Sequence, residues 1–177
     1  GKDGSAANVT LNSGITIAGP VAVYGATITV ADVLNTKSGG PAGAIELVAS
    51  TDINLSADLL SADLVTLDGA VILSDEVTVE GSTVEFKSTV DGAHEFMLTG
   101  NAEFDGDVGV GEGSALTSLN VTGTTLIGGN ITTTGAQTFT GATTLTGNRT
   151  LTGSDISLSA VTLDGHTLSV AEAGAGE

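Results

Sequence analysis

Four carboxylates, Glu103, Asp105, Asp107 and Glu112, fall in the run EFDGDVGVGEG, interleaved with glycines that let the backbone fold back on itself. Clustered oxygen donors on a pliable chain are the chemistry of a Ca²⁺ site. The spacing follows neither the EF-hand loop nor the nonapeptide Gly-Asp repeat. The run therefore reads as a solvated acidic face, with loose Ca²⁺ binding as a stabilising role. His94 and His166 each come one or two residues after an Asp-Gly pair, which places each at a turn. General acid–base or nucleophilic chemistry needs a positioned partner, and no Ser or carboxylate pattern supplies one. No catalytic, cofactor-binding or metal-ligating residue is assigned, and the chain reads as non-enzymatic.

An enzyme that cleaves acidic polysaccharide needs basic groups to bind and activate the sugar. This chain has only Lys2, Lys37, Lys87 and Arg149, scattered along its length. Thr-x-Thr pairs (Thr132/Thr134, Thr138/Thr140, Thr144/Thr146, Thr150/Thr152) would make an ice-binding grid only if they recurred on one face. Their six-residue step instead predicts successive faces, and Thr is an ordinary strand residue. Sequons begin at Asn8, Asn54, Asn120, Asn130 and Asn148. They fit glycosylation of an exported protein, but more simply Asn at the turns of a Ser/Thr-rich chain.

The elements that carry these residues are set by composition. In 177 residues there are 26 Gly, 2 Pro, no Cys or Trp, one Tyr and four Phe, and 40% are hydrophobic. The length suits one domain, residues 1–177, with a core of small aliphatic side chains and Thr. Lack of Cys excludes disulfides, thiolate zinc sites and Cys nucleophiles. A net charge of −17 repels phosphate backbones and anionic lipid, so neither nucleic acid nor a membrane surface is an expected partner. No stretch approaches the roughly 18 apolar residues of a membrane span. The beginning, Gly1-Lys2-Asp3-Gly4, reads as a processed product or an internal piece.

Short apolar alternations broken by Gly, Asn, Asp or Ser run from end to end, and period two is the strand signal. The inward candidates are Val77/Val79, Val84/Phe86, Val90, Phe96/Leu98, Ala102/Phe104, Val108/Val110, Leu116 and Leu119/Val121. Gly and β-branched residues interrupt every helical window. Only Ser169–Glu177 reads as a short helix, cap or tail. Val79 to Leu98, Val84 to Phe104 and Val90 to Val110 recur at 19 or 20 residues, and Val-Thr-Leu-Asp-Gly occurs at 65–69 and again at 161–165, about five such steps on. These spacings predict an all-β parallel β-helix with coils of about 19–20 residues, about nine coils, and a rod of about 40 Å. The hexads TFTGAT, TLTGNR and TLTGSD put Phe139, Leu145 and Leu151 inward. They raise a left-handed hexapeptide helix as a rival, but the six-residue step is not kept elsewhere, so the right-handed form is preferred.

The phrases GGNITTTGAQTFTGATTLTGNRTLTGSDISLSAVTLDG (128–165), STVDGAHEFMLTGNAEFDGDVG (88–109) and ALTSLNVTGTT (115–125) resemble the filamentous haemagglutinin-type β-helix exoproteins and large bacterial adhesins. The likeness covers about two thirds of the chain and marks architecture. It implies a right-handed parallel β-helix, export to the cell exterior or cell surface, and a role as rod, adhesin or filament. That family's secretion domain carries Asn-Pro motifs near its start, whereas neither Pro20 nor Pro41 follows an Asn. The chain resembles the rod and not the export module.

Acidic residues crowd the middle: 15 lie between Glu46 and Glu112 with one Lys, Lys87, and none lies from Gly113 to Ser154. Neither GKDGSAANVTLN nor HTLSVAEAGAGE reads as a cap over open strand edges. The expectation is a secreted structural solenoid whose ends pair head-to-tail into a filament, with an adhesion or biofilm-matrix role. The alternatives are a monomeric adhesin segment that binds a host or cell-surface receptor or cations, and a polysaccharide-processing β-helix.

Overall fold

The computed structural model describes residues 7–38, 43–111 and 113–173. The first coils contain β1 (Val9–Leu11), β2 (Ile15–Thr16), β3 (Val21–Val30), β4 (Leu34–Asn35), β5 (Ile45–Leu55) and β6 (Leu59–Leu60). The middle contains β7 (Val65–Leu73), β8 (Val77–Phe86), β9 (Val90–Asp91), β10 (Glu95–Phe104) and β11 (Ser118–Val121). The last coils contain β12 (Thr125–Ile127), β13 (Ile131–Thr132), β14 (Ala136–Leu145), β15 (Arg149–Gly153), β16 (Asp155–Thr162) and β17 (Leu168–Glu172). There is no helix among the described residues.

Every strand pairing is parallel, and each strand lies on the one a coil earlier, which makes a three-sided β-solenoid of about eight turns with roughly 19 residues per turn. Face one is built by the first halves of β3, β5 and β7, the second halves of β8 and β10, then β12 and the second halves of β14 and β16. Face two runs from β1 through the second halves of β3, β5 and β7, then β9, Val108, β13, β15 and β17. Face three holds β2, β4, β6, the first halves of β8 and β10, β11, and the first halves of β14 and β16.

The core is the stack of inward columns. On face one Val65 stands beside Val84, and the column continues through Ala102, Thr125 and Thr143 to Val161. The two Val-Thr-Leu-Asp-Gly copies are thus five coils apart, as their offset predicts. Phe86 and Phe104 lie on adjacent coils of this face with stacked rings, centroids 5.1 Å apart, while Phe96 meets Phe86 edge-on at 5.7 Å. Such pairs add about 0.5–1.5 kcal/mol each beyond area burial. Phe139, Leu145 and Leu151 are all buried, one on each face.

Tight corners need residues without a side chain, since coils stack at the inter-strand spacing of about 4.8 Å. Gly81, Gly100, Gly123 and Gly141 turn four successive coils from face three into face one. Gly123 donates its N–H to the Gly100 carbonyl at 2.9 Å. A Cβ on Gly100, Gly123 or Gly141 would collide with the carbonyl of the glycine one coil below. Other corners use side-chain oxygens in place of a carbonyl. Asp107 accepts the Asn130 N–H at 2.7 Å, Asn130 accepts that of Thr150 at 2.9 Å, and Asn148 accepts that of Thr167 at 3.0 Å.

Four expectations are corrected. The turns number about eight, because two coils are longer than the rest, the one that brings Ile45 over Val21 and the one that brings Thr125 over Ala102. The second excess follows Val108 and carries Val110 out of the core, where it is 46% exposed. The stacking partners before this excursion also differ from those a constant step gives. Val84 stands beside Ala102 and not Phe104, and Val90 beside Val108 and not Val110. Finally, the segment from Ser169 is neither helix nor tail up to Glu172, because β17 pairs with all five residues of β15. Residues 174–177 lie outside the described chain.

Candidate functional site

The acidic middle is held by few positive charges. Lys87, beside the corner after face one, sits 3.2 Å from Glu85 on its own coil and 3.4 Å from Asp105 on the next. Partial burial disfavours its charged form, but the hydrogen bond to Glu85 and the charges of Asp105, Glu85 and Glu103 outweigh this and raise its pKa above the usual 10.5. Lys37 reaches across face three to Glu80 at 2.6 Å. Arg149 donates to the Asn148 carbonyl and makes no ion pair among the described residues. Lys2 lies outside the described residues. The three described basic side chains do not converge on one cleft.

The Ca²⁺ candidates are separated by the coil geometry. Glu103 is on face one, Asp105 faces Lys87, and Asp107 caps Asn130. Glu112 lies outside the described residues. Among the described residues no three His, Cys, Asp or Glu side chains converge where a cation could be held. Asp91 on face two has its pKa raised above 3.8 by burial, with the Thr89 hydrogen bond opposing and Asp107 on the next coil adding repulsion.

Both histidines lie at turns. The His94 N–H donates to the Gly92 carbonyl, and the His166 N–H to that of Leu163 across a turn in which Asp164 and Gly165 take positive φ. Neither is within ion-pair reach of a carboxylate among the described residues. The Thr pairs fall on successive faces, Thr138 on face three, Thr144 on face one, Thr150 and Thr152 on face two, so no continuous grid forms. Of the sequon residues, Asn54 and Asn120 lie on strands, Asn8 is exposed, and Asn130 and Asn148 are the corner acceptors described above. Open depressions lie on two of the faces. One lies on face three around Glu76, Met97 and Asn120, the other at the face-one corner around Asn101, Glu103 and Thr124.

The largest break in the pattern lies at the two ends of the stack. At the upper end Val170 stands over Leu151 and Val161 over Thr143, both in inward columns, yet they are 60% and 39% exposed. Leu163 is 43% exposed beside them. Val170 and Val161 each end an inward column with no further coil over it among the described residues. At the lower end Val9, Leu11, Ile15, Val21 and Val23 are only half-buried beneath Ile28, Val30, Leu34, Ile45 and Leu47, and Ile17 is 39% exposed. The outer edges of β1 and β17 have no strand partner among the described residues.

Sequence reasoning expected uncapped edges but missed these apolar end columns. The signal was present, since the alternation Leu168, Val170 carries the inward pattern to the last described strand. Comparison of the chain with protein-family models, with curated proteins and with solved structures gave no match.

Proposed function

We propose that this chain is a structural rod, the subunit or a segment of an extracellular filament or cell-surface fibre that lengthens by strand pairing between solenoid ends, with adhesion or biofilm matrix as its use. The observation that supports this reading is the parallel stack itself, in which each coil offers a strand edge to the next on all three faces. Such edges template pairing with another chain, and a head-to-tail contact between unlike ends propagates without closing. The charge pattern favours the same direction of growth. Residues 1–45 carry two Lys and two Asp and are neutral, whereas residues 46–112 carry a net −14. Side-by-side approach sets the charged middles against each other, and end-on approach does not.

The rod has no enzymatic role in this reading. Its export and surface location rest on the resemblance to haemagglutinin-type exoproteins, and the same repeat phrases support an adhesin use. A second reading, a monomeric adhesin segment that binds a receptor or cations, is favoured by the acidic middle, where Asp107 adds repulsion to Asp91 from the next coil. The deciding experiment is electron microscopy of the purified chain over a concentration series at low salt. The filament reading expects single rods when dilute and unbranched threads one solenoid wide when concentrated. Isolated rods at every concentration would overturn it and leave the segment reading.

A further inference from the structure

We infer that the interior of the solenoid holds a bound water molecule between the hydroxyls of Thr125 and Thr143, on adjacent coils of face one. Ala102 lies one coil below this pair and Val161 one coil above, so the site does not depend on what covers either end of the stack.

The core is apolar over most of its length, and its buried polar side chains among the described residues are Thr36, Ser61, Thr125, Thr133, Gln137 and Thr143. Most of them have partners. Thr36 and Ser61 donate to the Gly43 carbonyl, Thr133 donates to that of Gly135 at 2.7 Å, and the Gln137 amide nitrogen donates to that of Thr152 at 2.7 Å. Thr125 and Thr143 differ: they are 2% and 0% exposed, and neither hydroxyl has a hydrogen-bond partner among the described residues. The Gln137 side-chain oxygen also lacks one, but it stands alone on face three between Leu119 and Ile156. A valine fills the same volume as a threonine without the polar atom, so a dry, unpaired hydroxyl is a net cost, and two side by side repeat it. Buried polar groups in folded proteins nearly always find a protein or water partner.

Thr125 and Thr143 stand directly opposite each other in the parallel register. Both are β-branched and have few χ1 choices, and a shared rotamer sets their hydroxyl oxygens one strand spacing apart, about 4.8 Å. That is too far for a direct O–H···O bond, which spans about 2.7–2.8 Å. One water between them reaches both, since two legs of about 2.8 Å span about 4.8 Å at an angle of about 118°. Each hydroxyl both donates and accepts, so the water has two partners, the fewest that a buried water takes. Room for it comes from Ala102. The inward column runs Val65, Val84, Ala102, Thr125, Thr143, Val161, so Ala102 withholds two methyl groups directly beneath Thr125. Thr125 is the residue that lands on Ala102 after the long coil, and both also line the open depression at the face-one corner. Solvent therefore has a short way in.

A crystal structure at atomic resolution tests the site directly. The expected result is a density peak between the two hydroxyl oxygens, within hydrogen-bond distance of both, that is lost in the chain carrying Thr125→Val and Thr143→Val. A direct bond between the hydroxyls, or a backbone carbonyl taken by each with no peak between them, would overturn the water site. Urea denaturation of the two single variants and the double variant gives a second reading in dilute solution. Each single substitution strands the water and the remaining hydroxyl, so each is expected to lower the midpoint. The double variant, dry and apolar at both positions, is expected to return the midpoint to the native value or above it. Additive effects, whatever their sign, mean two independent hydroxyls and also overturn the site.

Discussion

Asp91 and Lys87 show how stacking turns a sequence position into an electrostatic environment. Asp91 sits between Ile72 below and the coil bearing Asp107 above, and its carboxyl is held above 3.8 by burial and by Asp107. For an acid whose folded pKa is raised, the folded state binds the proton more readily than the unfolded state. Stability therefore falls as pH rises through that pKa. Asp91→Asn is expected to stabilise the chain at pH 7 by about 0.5 kcal/mol, the scale of a like-charge cross-strand contact, with the gain vanishing below pH about 3.8. Urea denaturation of both chains at the two pH values checks it, and equal midpoints at pH 7 would refute it. Lys87 has the opposite linkage: its pKa is raised, so its contribution is complete below 10.5 and is lost as pH climbs through the folded value. Neither effect could be read from the sequence, because Asp91 and Asp107 are most of a coil apart along the chain and become neighbours only once the coil length is known.

Coils and corners were the legible part. Period-two alternation placed every named inward residue correctly except Val110, and the repeated Val-Thr-Leu-Asp-Gly gave the five-coil interval. Failure came where coil length changes. A constant step carries Val90 onto Val110, whereas the chain closes that coil early, at Val108, and then spends the excess on an exposed excursion. The long coil from Val21 to Ile45 hides the period in the same way near the start. Glycines at corners were visible as punctuation, but their stacking one above another was not. Gly100 has φ +116, and any Cβ there meets the Gly81 carbonyl. Gly100→Ala is expected to cost about 3 kcal/mol, combining a backbone conformation disfavoured for L residues with steric overlap. Gly113→Ala shares the positive φ but has open space around it, so it should cost less, about 1 kcal/mol. Chemical denaturation of the two variants separates the contributions, and equal losses would remove the stacking explanation.

At the scale of the whole rod, charge and shape act together. The first and last described coils are the least charged parts, while the middle coils form an acidic girdle with Asp and Glu on all three faces, Glu46, Glu85 and Glu103 on face one, Asp91 on face two and Glu80 on face three. If the chain forms threads, as proposed above, the girdle should keep them single at low salt and pH 7. As pH falls through the carboxylate range near 4, or as salt shortens the screening length to about 3 Å at 1 M, threads are expected to bundle side by side, which light scattering and microscopy detect. Bundling that ignores both pH and salt would show that the girdle does not set lateral spacing. The parallel register described above also has a mechanical consequence. Hydrogen bonds between coils point along the rod, so a pull on its two ends loads them lengthwise and one coil at a time. Such a rod should yield as a series of similar links, an average coil of roughly 19 residues releasing about 60 Å of slack, so that it gives way gradually instead of in a single break.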